Sequence, residues 1–155
     1  MESPTNNDER DRIAQLAATC AWQNLRRAAR AVTSHYDALL KQDVNLRITQ
    51  VTMLVVLYLA GPQTINDMAE HLGLDRTTLT RNLKPIAHQG LLTIAPGADQ
   101  RTRIVTLTAE GEQRLLQVLP LWEEAQAYMV EGIGREHFAG WIAQLSAVTS
   151  LAQAT

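Results

Sequence analysis

Apolar positions recur at helical spacing along most of the chain. Between about residues 9 and 41 they form two stripes, one of Ile13, Leu16, Ala17 and Cys20 and one of Trp22, Leu25, Ala29, Val32, Tyr36 and Leu40. Three-four spacing predicts a long helix, but the two stripes lie on different sides of it. Either the helix bends near residue 20 or its two ends meet different partners. "LRITQVTMLVVLYLAGP" predicts a fully buried helix, with Thr49 as N-cap and Gly61-Pro62 as stop. In "TINDMAEHLG", Thr64 with Asp67 three residues on resembles a capping box, and Ile65, Met68, Ala69 and Leu72 keep an apolar stripe. Gly73 ends that helix. Asp75 is placed to cap the next, which runs from Arg76 toward Gln89 and stops at Gly90. Two short helices joined by so tight a turn make a helix-turn-helix.

After Gly90 the period changes. "LLTI" and "RIVTL" are short β-rich runs around "APGADQRT", which predicts a hairpin with a longish loop. Thr108 restarts a helix with Glu110 and Glu112 in its first turn. Leu115, Val118, Leu119, Trp122, Met129 and Ile133 continue it, and Pro120 is expected to bend it. A last helix carries Phe138, Trp141, Ile142, Leu145, Val148 and Ala152 on one face. The expectation is one mainly α domain with a small β-hairpin wing.

Composition narrows the class. A hydrophobic share of 46% supports a real core, and an aromatic share of only 5% leaves that core to aliphatics and alanine. One cysteine, Cys20, cannot form an intrachain disulfide, which fits a reducing cytoplasm. "MESPTNNDE" is too polar and acidic for a signal peptide, and "MLVVLYLA" is too short to span a bilayer. The expected location is cytoplasmic, with no membrane partner.

The net charge of −2 is unevenly spread. Residues 75–103 hold five cations (Arg76, Arg81, Lys84, Arg101, Arg103) against Asp75 and Asp99, a net of +3. Residues 104–155 hold Arg114 and Arg135 against six glutamates, a net of −4. A local positive field needs no basic average.

"LDRTTLTRNLKP" lies at the centre of that field. At 100° per residue, Leu79, Leu83 and Ile86 fall on one side of the helix. Thr77, Arg81, Lys84 and His88 fall on the other, flanked by Thr78 and Thr80. Pro85 disturbs the regular path near Lys84, which blurs where His88 projects. A helix of this width fits the major groove of B-DNA. Arginine can read guanine there, threonine can touch a thymine methyl or a phosphate, and lysine neutralises phosphate. The hairpin loop adds Asp99, Arg101 and Arg103. A thin basic loop suits a narrow minor groove, with Asp99 placed to hold the Arg101 guanidinium. The candidate DNA-binding set is therefore Arg76, Thr77, Thr78, Thr80, Arg81, Lys84, Asp99, Arg101 and Arg103.

The order and detail of these pieces resemble the multiple-antibiotic-resistance regulator (MarR) family. The resemblance rests on "RAARAVTSHYDALL", "TQVTMLVVLYLAG", "TINDMAEHLGLDRTTLTRNLKPIAHQGLL", "DQRTRIVTLTAEGEQRL" and the two closing helices, and spans residues 10 to 150. The Asp-x-Arg at 99–101 before "VTLTAEG" is its most specific part. The resemblance implies a single MarR-like domain over 1–155. In it, dimerisation helices at 10–45 and 110–155 flank a winged helix-turn-helix DNA-binding lobe at 46–109. It implies a sequence-specific transcription regulator, typically a homodimeric repressor on a pseudo-palindromic operator in double-stranded DNA. A small-molecule effector, aromatic or phenolic, is expected to bind between the dimer region and the DNA-binding lobe. Trp22, with Arg26 and Tyr36 as polar handles, is the first candidate for touching it. No cofactor is implied.

Other classes find little support. His35, His71, His88 and His137 are scattered, with no His-x-x-x-His pair, so no metal site is expected. "GIGREH" lacks the third glycine and the preceding strand of a phosphate-binding fingerprint. No nucleophile–base pair suggests an enzyme. Cys20 keeps two readings. It sits on an apolar stripe, where cysteine packs and is poorly reactive. It also lies two residues from the position that peroxide-sensing members of the family use, where this chain has Trp22. A thiol-based redox- or metal-responsive regulator acting through Cys20 is the alternative.

Overall fold

The computed structural model describes residues 4–99 and 101–154. Seven helices and three strands follow in the order α1 (Pro4–Thr19), α2 (Ala21–Asp43), α3 (Ile48–Ala60), β1 (Gln63–Thr64), α4 (Ile65–Leu72), α5 (Arg76–His88), β2 (Leu92–Pro96), β3 (Arg103–Leu107), α6 (Ala109–Ile133) and α7 (Arg135–Gln153). The expected long first helix is two helices. Cys20 has an extended backbone (φ −62°, ψ 114°) and stands as N-cap of α2. That break lets the two stripes of the sequence face different ways.

The core is assembled by the helix-turn-helix lobe and the helices that flank it. Leu40, Leu54, Met68, Leu79, Leu83, Ile86 and Leu91 are fully buried, with Val105 of the sheet and Val118 of α6. α4 starts at Thr64, whose hydroxyl accepts the Asp67 N–H at 3.1 Å. It ends at Gly73 in the left-handed region (φ 61°), which a side chain rarely tolerates. Both features follow the expected capping. The expected cap of α3 does not: Thr49 lies inside the helix, and Arg47 is the flanking residue. The first amides are satisfied from elsewhere. Asp37 Oδ1 on α2 accepts the Ile48 N–H at 2.7 Å, and Gln50 Oε1 accepts the Arg47 N–H at 2.9 Å. A carboxylate eleven residues away in sequence outcompetes the local threonine.

The sheet is antiparallel in the order β1-β3-β2, with Leu92 opposite Leu107 and Pro96 opposite Arg103 in the hairpin. β1 is a two-residue edge, Gln63 and Thr64 opposite Val105 and Ile104, which the sequence pattern does not predict. Two residues are too short for any alternation pattern to announce a strand. Gln100, in the hairpin loop, lies outside the described residues. Pro85 and Pro120 sit inside α5 and α6 without ending either helix.

α6 is joined to the sheet at its first turn. The Thr108 hydroxyl accepts the Gly111 N–H at 3.0 Å and donates to the Gly90 carbonyl at 2.7 Å. The Thr108 N–H donates to the Leu91 carbonyl at 3.1 Å. Gly111 is needed for this approach: a Cβ there would lie 2.0 Å from the Leu91 oxygen. The outer ends of the molecule are barely packed within one chain. No residue of α7 is buried, and Ile13, Leu16 and Trp22 are all more than 60% exposed (66%, 68% and 64%).

Candidate nucleic-acid interface and ligand cavity

α5 is built from both ends to show one face. Asp75 Oδ1 accepts the Thr78 N–H at 2.8 Å and Oδ2 accepts the Thr78 hydroxyl at 2.6 Å. Those two bonds, the hydroxyl first, hold the Asp75 carboxyl below the ordinary carboxylate range. With the N-terminus so fixed and Leu79, Leu83 and Ile86 at zero exposure, Thr77, Arg81, Lys84 and His88 all stand in solvent. The regular path of α5 through Pro85 places His88 with them. Thr78 and Thr80 differ from Thr77. The Thr78 hydroxyl is spent on Asp75, and the Thr80 hydroxyl donates to the Arg76 carbonyl at 2.8 Å. Each keeps a methyl and an acceptor oxygen but no donor for a phosphate.

The wing departs from expectation in one detail. Asp99 Oδ1 accepts the backbone N–H of Arg101 at 3.0 Å, and the Asp99 carbonyl accepts the Thr102 hydroxyl at 2.7 Å. The carboxylate thus shapes the turn and does not clamp the guanidinium. Among the described residues the one ion pair is Arg114 with Glu110 at 3.4 Å, so the cations of α5 and the wing carry no acidic partner within 4.0 Å. Arg76, Arg101 and Arg103 line one crevice with Thr64, Ile65 and Asn66 at the start of α4. Residues of α5, the wing loop and β3 thus meet at the start of α4, and none of their three cations has an acidic partner within 4.0 Å among the described residues.

The expected effector trio is not brought together. Trp22 and Arg26 stack on each other, with the guanidinium carbon 5.2 Å from the ring centre, on an α2 face with Arg27 and Arg30. Tyr36 turns instead toward α6, where its hydroxyl donates to Gln126 Oε1. The α2 recess is the larger, at about 660 Å³, but one helix supplies its described wall and it encloses little. A second cavity of about 310 Å³ has four walls: Thr33 and Tyr36 from α2, Ile48 and Thr52 from α3, Trp122 and Gln126 from α6, Phe138 and Trp141 from α7. It too is open to solvent, with Thr52 and Ile142 of its lining exposed. Trp122, Phe138 and Trp141 are legible in the sequence only as members of apolar stripes, and Gln126 carries no signal there; what singles them out is that α6 and α7 face the same gap as α2 and α3, which are distant in sequence. Burial raises the Tyr36 phenol above its ordinary value, so it stays neutral and keeps its proton for Gln126.

Cys20 is half-buried at the break between α1 and α2. Its stripe neighbours Ile13 and Leu16 are exposed, so it is not part of the core within one chain. Among the described residues no three His, Cys, Asp or Glu side chains gather as a metal site, and no helix is long and apolar enough to cross a membrane.

Comparison with known proteins decides the lineage. The model of the MarR family matches residues 46–101, the stretch from the start of α3 to the loop of the wing. The M. tuberculosis transcriptional regulator MosR, solved in complex with DNA, is 34% identical with a TM-score of 0.80, covering 87% of this chain and 97% of that one. The chain belongs to the MarR family. Among curated proteins, the organic hydroperoxide resistance transcriptional regulator of Bacillus subtilis is 34% identical over 85 residues, 54% of this chain and 57% of that protein. The chain thus matches a little over half the length of that relative. Bordetella bronchiseptica BpsR, whose DNA binding is regulated by 6-hydroxynicotinic acid, shares the fold (TM-score 0.77, 19% identity, 86% of this chain and 96% of that one). Winged-helix architecture and regulator class follow from these matches.

Proposed function

We propose that this MarR-family regulator is a homodimeric repressor that binds a pseudo-palindromic operator in the cytoplasm and is released by a small ligand. The observation that carries the reading is the presentation of Thr77, Arg81 and Lys84 on the solvent face of a helix whose opposite face is fully buried. The division of the chain follows: residues 46–109 form the DNA-reading lobe and the segments on either side form the dimer. α7, with no buried residue, and the exposed Ile13, Leu16 and Trp22 supply the apolar surface a second copy would cover. Two-fold symmetry sets two α5 helices on half-sites about one helical turn apart.

Within the interface the roles divide by chemistry. Arg81 reads base edges, and Thr77 has a hydroxyl that no neighbour in the described structure takes. Lys84 and the Arg76–Arg103 crevice hold phosphates, and Arg101, whose guanidinium has no acidic partner, enters the minor groove. Thr78, Thr80 and Asp99 serve by fixing α5 and the wing. The test is binding to the protein's own upstream DNA. Arg81→Ala is expected to lose about 1–3 kcal/mol and relax base preference. Lys84→Ala is expected to weaken all sequences alike and reduce the salt slope by about one. Parent-like binding by both variants on a mapped operator ends this reading, as does a stable monomer with full affinity.

A thiol switch is the second reading. The observation in its favour is that Cys20 itself forms the break between α1 and α2 and is half-buried. A bulky oxidised sulfur there would disturb the junction of two helices assigned to the dimer.

A further inference from the structure

The chain crosses twice between the helices assigned to the dimer and the DNA-reading lobe. One crossing, from β3 into α6, is the joint at Thr108 and Gly111. The other is the four-residue connection 44–47 between α2 and α3, and two elements grip it. From α2, Asp37 Oδ1 accepts the Ile48 N–H at 2.7 Å. From α6, Arg114 Nη1 donates to the Val44 carbonyl at 3.2 Å, while its Nη2 donates to Glu110 at 3.4 Å. The first two bonds each join an ion to a backbone group in a part-buried place, the stronger kind of hydrogen bond. Val44 and Leu46 are themselves buried. Asn45 stands in the left-handed region (φ 51°), alone among the described non-glycine residues, a conformation that asparagine tolerates better than most. Neither Asp37 nor Arg114 belongs to α5 or the wing. A body attached at two points can still swing about the line through them. Bonds that grip an attachment point from two helices remove that freedom.

We propose that Asp37 and Arg114 are positioning residues that set which operator spacing the protein accepts. The inference rests on the reading of a homodimer on a pseudo-palindrome. In that arrangement the distance and angle between the two α5 helices pass through connection 44–47 of each protomer. A turn of DNA takes about 10–10.5 base pairs over about 34–36 Å, so one base pair added between half-sites parts them by about 3.4 Å and turns them by about 35°. To follow, each lobe must reorient on α2 and α6. The Asp37 bond, at 2.7 Å, is lost once it lengthens by about 1 Å. A gripped connection therefore rejects the wrong spacing, and a loosened one accepts it.

The experiment measures binding of the full chain to four DNAs. These are the operator mapped in the protein's own upstream DNA, the same operator with one base pair inserted or deleted at its centre, and a single half-site. The parent is expected to bind the altered spacings roughly tenfold or more weakly than the matched one, the factor expected from breaking one hydrogen bond to a charged group. Asp37→Ala should cut that ratio to about threefold or less, with the bond already gone, and bind the half-site as the parent does. Asp37→Asn keeps an acceptor for the Ile48 N–H and should restore most of the preference. Arg114→Met removes the donors and keeps the stem; it tests the connection from α6 and stands in should Asp37→Ala fail to fold. Equal loss on all four DNAs, half-site included, makes these residues plain stabilisers and overturns the proposal. So does a spacing preference that both variants retain, or a parent that binds all spacings alike. Sedimentation of the same samples separates the two claims: a monomeric parent at micromolar concentration removes the dimer reading, whereas any of those results from a dimer removes this inference alone.

Discussion

Replacing Gly111 by alanine tests whether the wing and α6 move as one body. The added Cβ falls 2.0 Å from the Leu91 carbonyl oxygen and 2.7 Å from Leu107 Cδ1. Ordinary contact begins near 3.4 Å, so the backbones must part by about 1.4 Å (3.4 − 2.0). The obstructing oxygen is not idle, because it accepts the Thr108 N–H at 3.1 Å. Parting the segments by that distance breaks this bond and the Thr108 hydroxyl bond to Gly90, now 2.7 Å. Two such bonds are worth about 1 kcal/mol each in net terms. Overpacking adds about 1–3 kcal/mol, and the better helix propensity of alanine returns about 1. The expected loss is about 2–4 kcal/mol, which lowers the melting temperature by roughly 10 °C in a domain of this size.

The assay is thermal unfolding followed by circular dichroism at one fixed protomer concentration. Gly132→Ala is the internal control: it lies in the same helix, and a Cβ there meets nothing within 4 Å. It should hold or raise the melting temperature. A Gly111→Ala protein that melts with the parent, while Gly132→Ala behaves as expected, would falsify the close approach and the rigid joint built on it.

Three further outcomes follow from the site. Asp75 has its carboxyl lowered by the Thr78 hydroxyl and then the Thr78 N–H, so its support of α5 is present above the ordinary carboxylate value and lost as pH falls through the folded one; amide exchange at Thr78 should show that acid dependence in the parent and lose it in Asp75→Asn. Tyr36 has its phenol raised above 10.0 by burial, so the native state retains the proton longer and stability falls as pH rises from 10.0 through the folded value; Tyr36→Phe should flatten that alkaline limb in denaturant titrations. Cys20→Ser and parent should both hold DNA under hydroperoxide if the ligand reading is right, whereas release of the parent alone makes Cys20 the switch.

The helix-turn-helix and the wing were legible because each local signal agreed with its neighbours. Thr64, Gly73 and Asp75 cap where their chemistry says, and the Leu79, Leu83, Ile86 stripe is the buried one. What stayed hidden depended on contacts between segments distant in sequence. Thr49 is a good cap in isolation, but Asp37 reaches the first amide of α3 from another helix. Asp99 two residues before Arg101 fits a side-chain clamp or a backbone turn equally well, and only the loop geometry separates them. Trp22 and Tyr36 lie within about 40° of each other around α2 but about 21 Å apart along it, so Tyr36 reaches α6 while Trp22, stacked with Arg26, does not. Periodicity assigns a residue to a face; it does not say which other helix shares that face.

One element touches both candidate sites. α6 begins at the wing, where Thr108 and Gly111 bind it to Gly90 and Leu91, and it continues unbroken to Trp122 and Gln126 in the cavity wall. From Gly111 to Gln126 is about 22 Å along the axis at 1.5 Å per residue. Close-packed helices do not deform smoothly over such a length; they shift as bodies between alternative packings. On the proposed ligand-release reading, separation of α6 from α2 at the Tyr36–Gln126 bond is expected to displace the foot of the wing, unless the helix yields at Pro120, where one backbone donor is missing. Arg114 opposes that yielding on the wing side, with Nη1 donating to the Val44 carbonyl at 3.2 Å and so tying α6 to the segment that leads into α3. On that reading cavity and wing are joined through α6, with Pro120 as its weak point. DNA release requires the ligand to bind the displaced arrangement better than the DNA-competent one by several kcal/mol, and contacts to α6 are where that difference can arise.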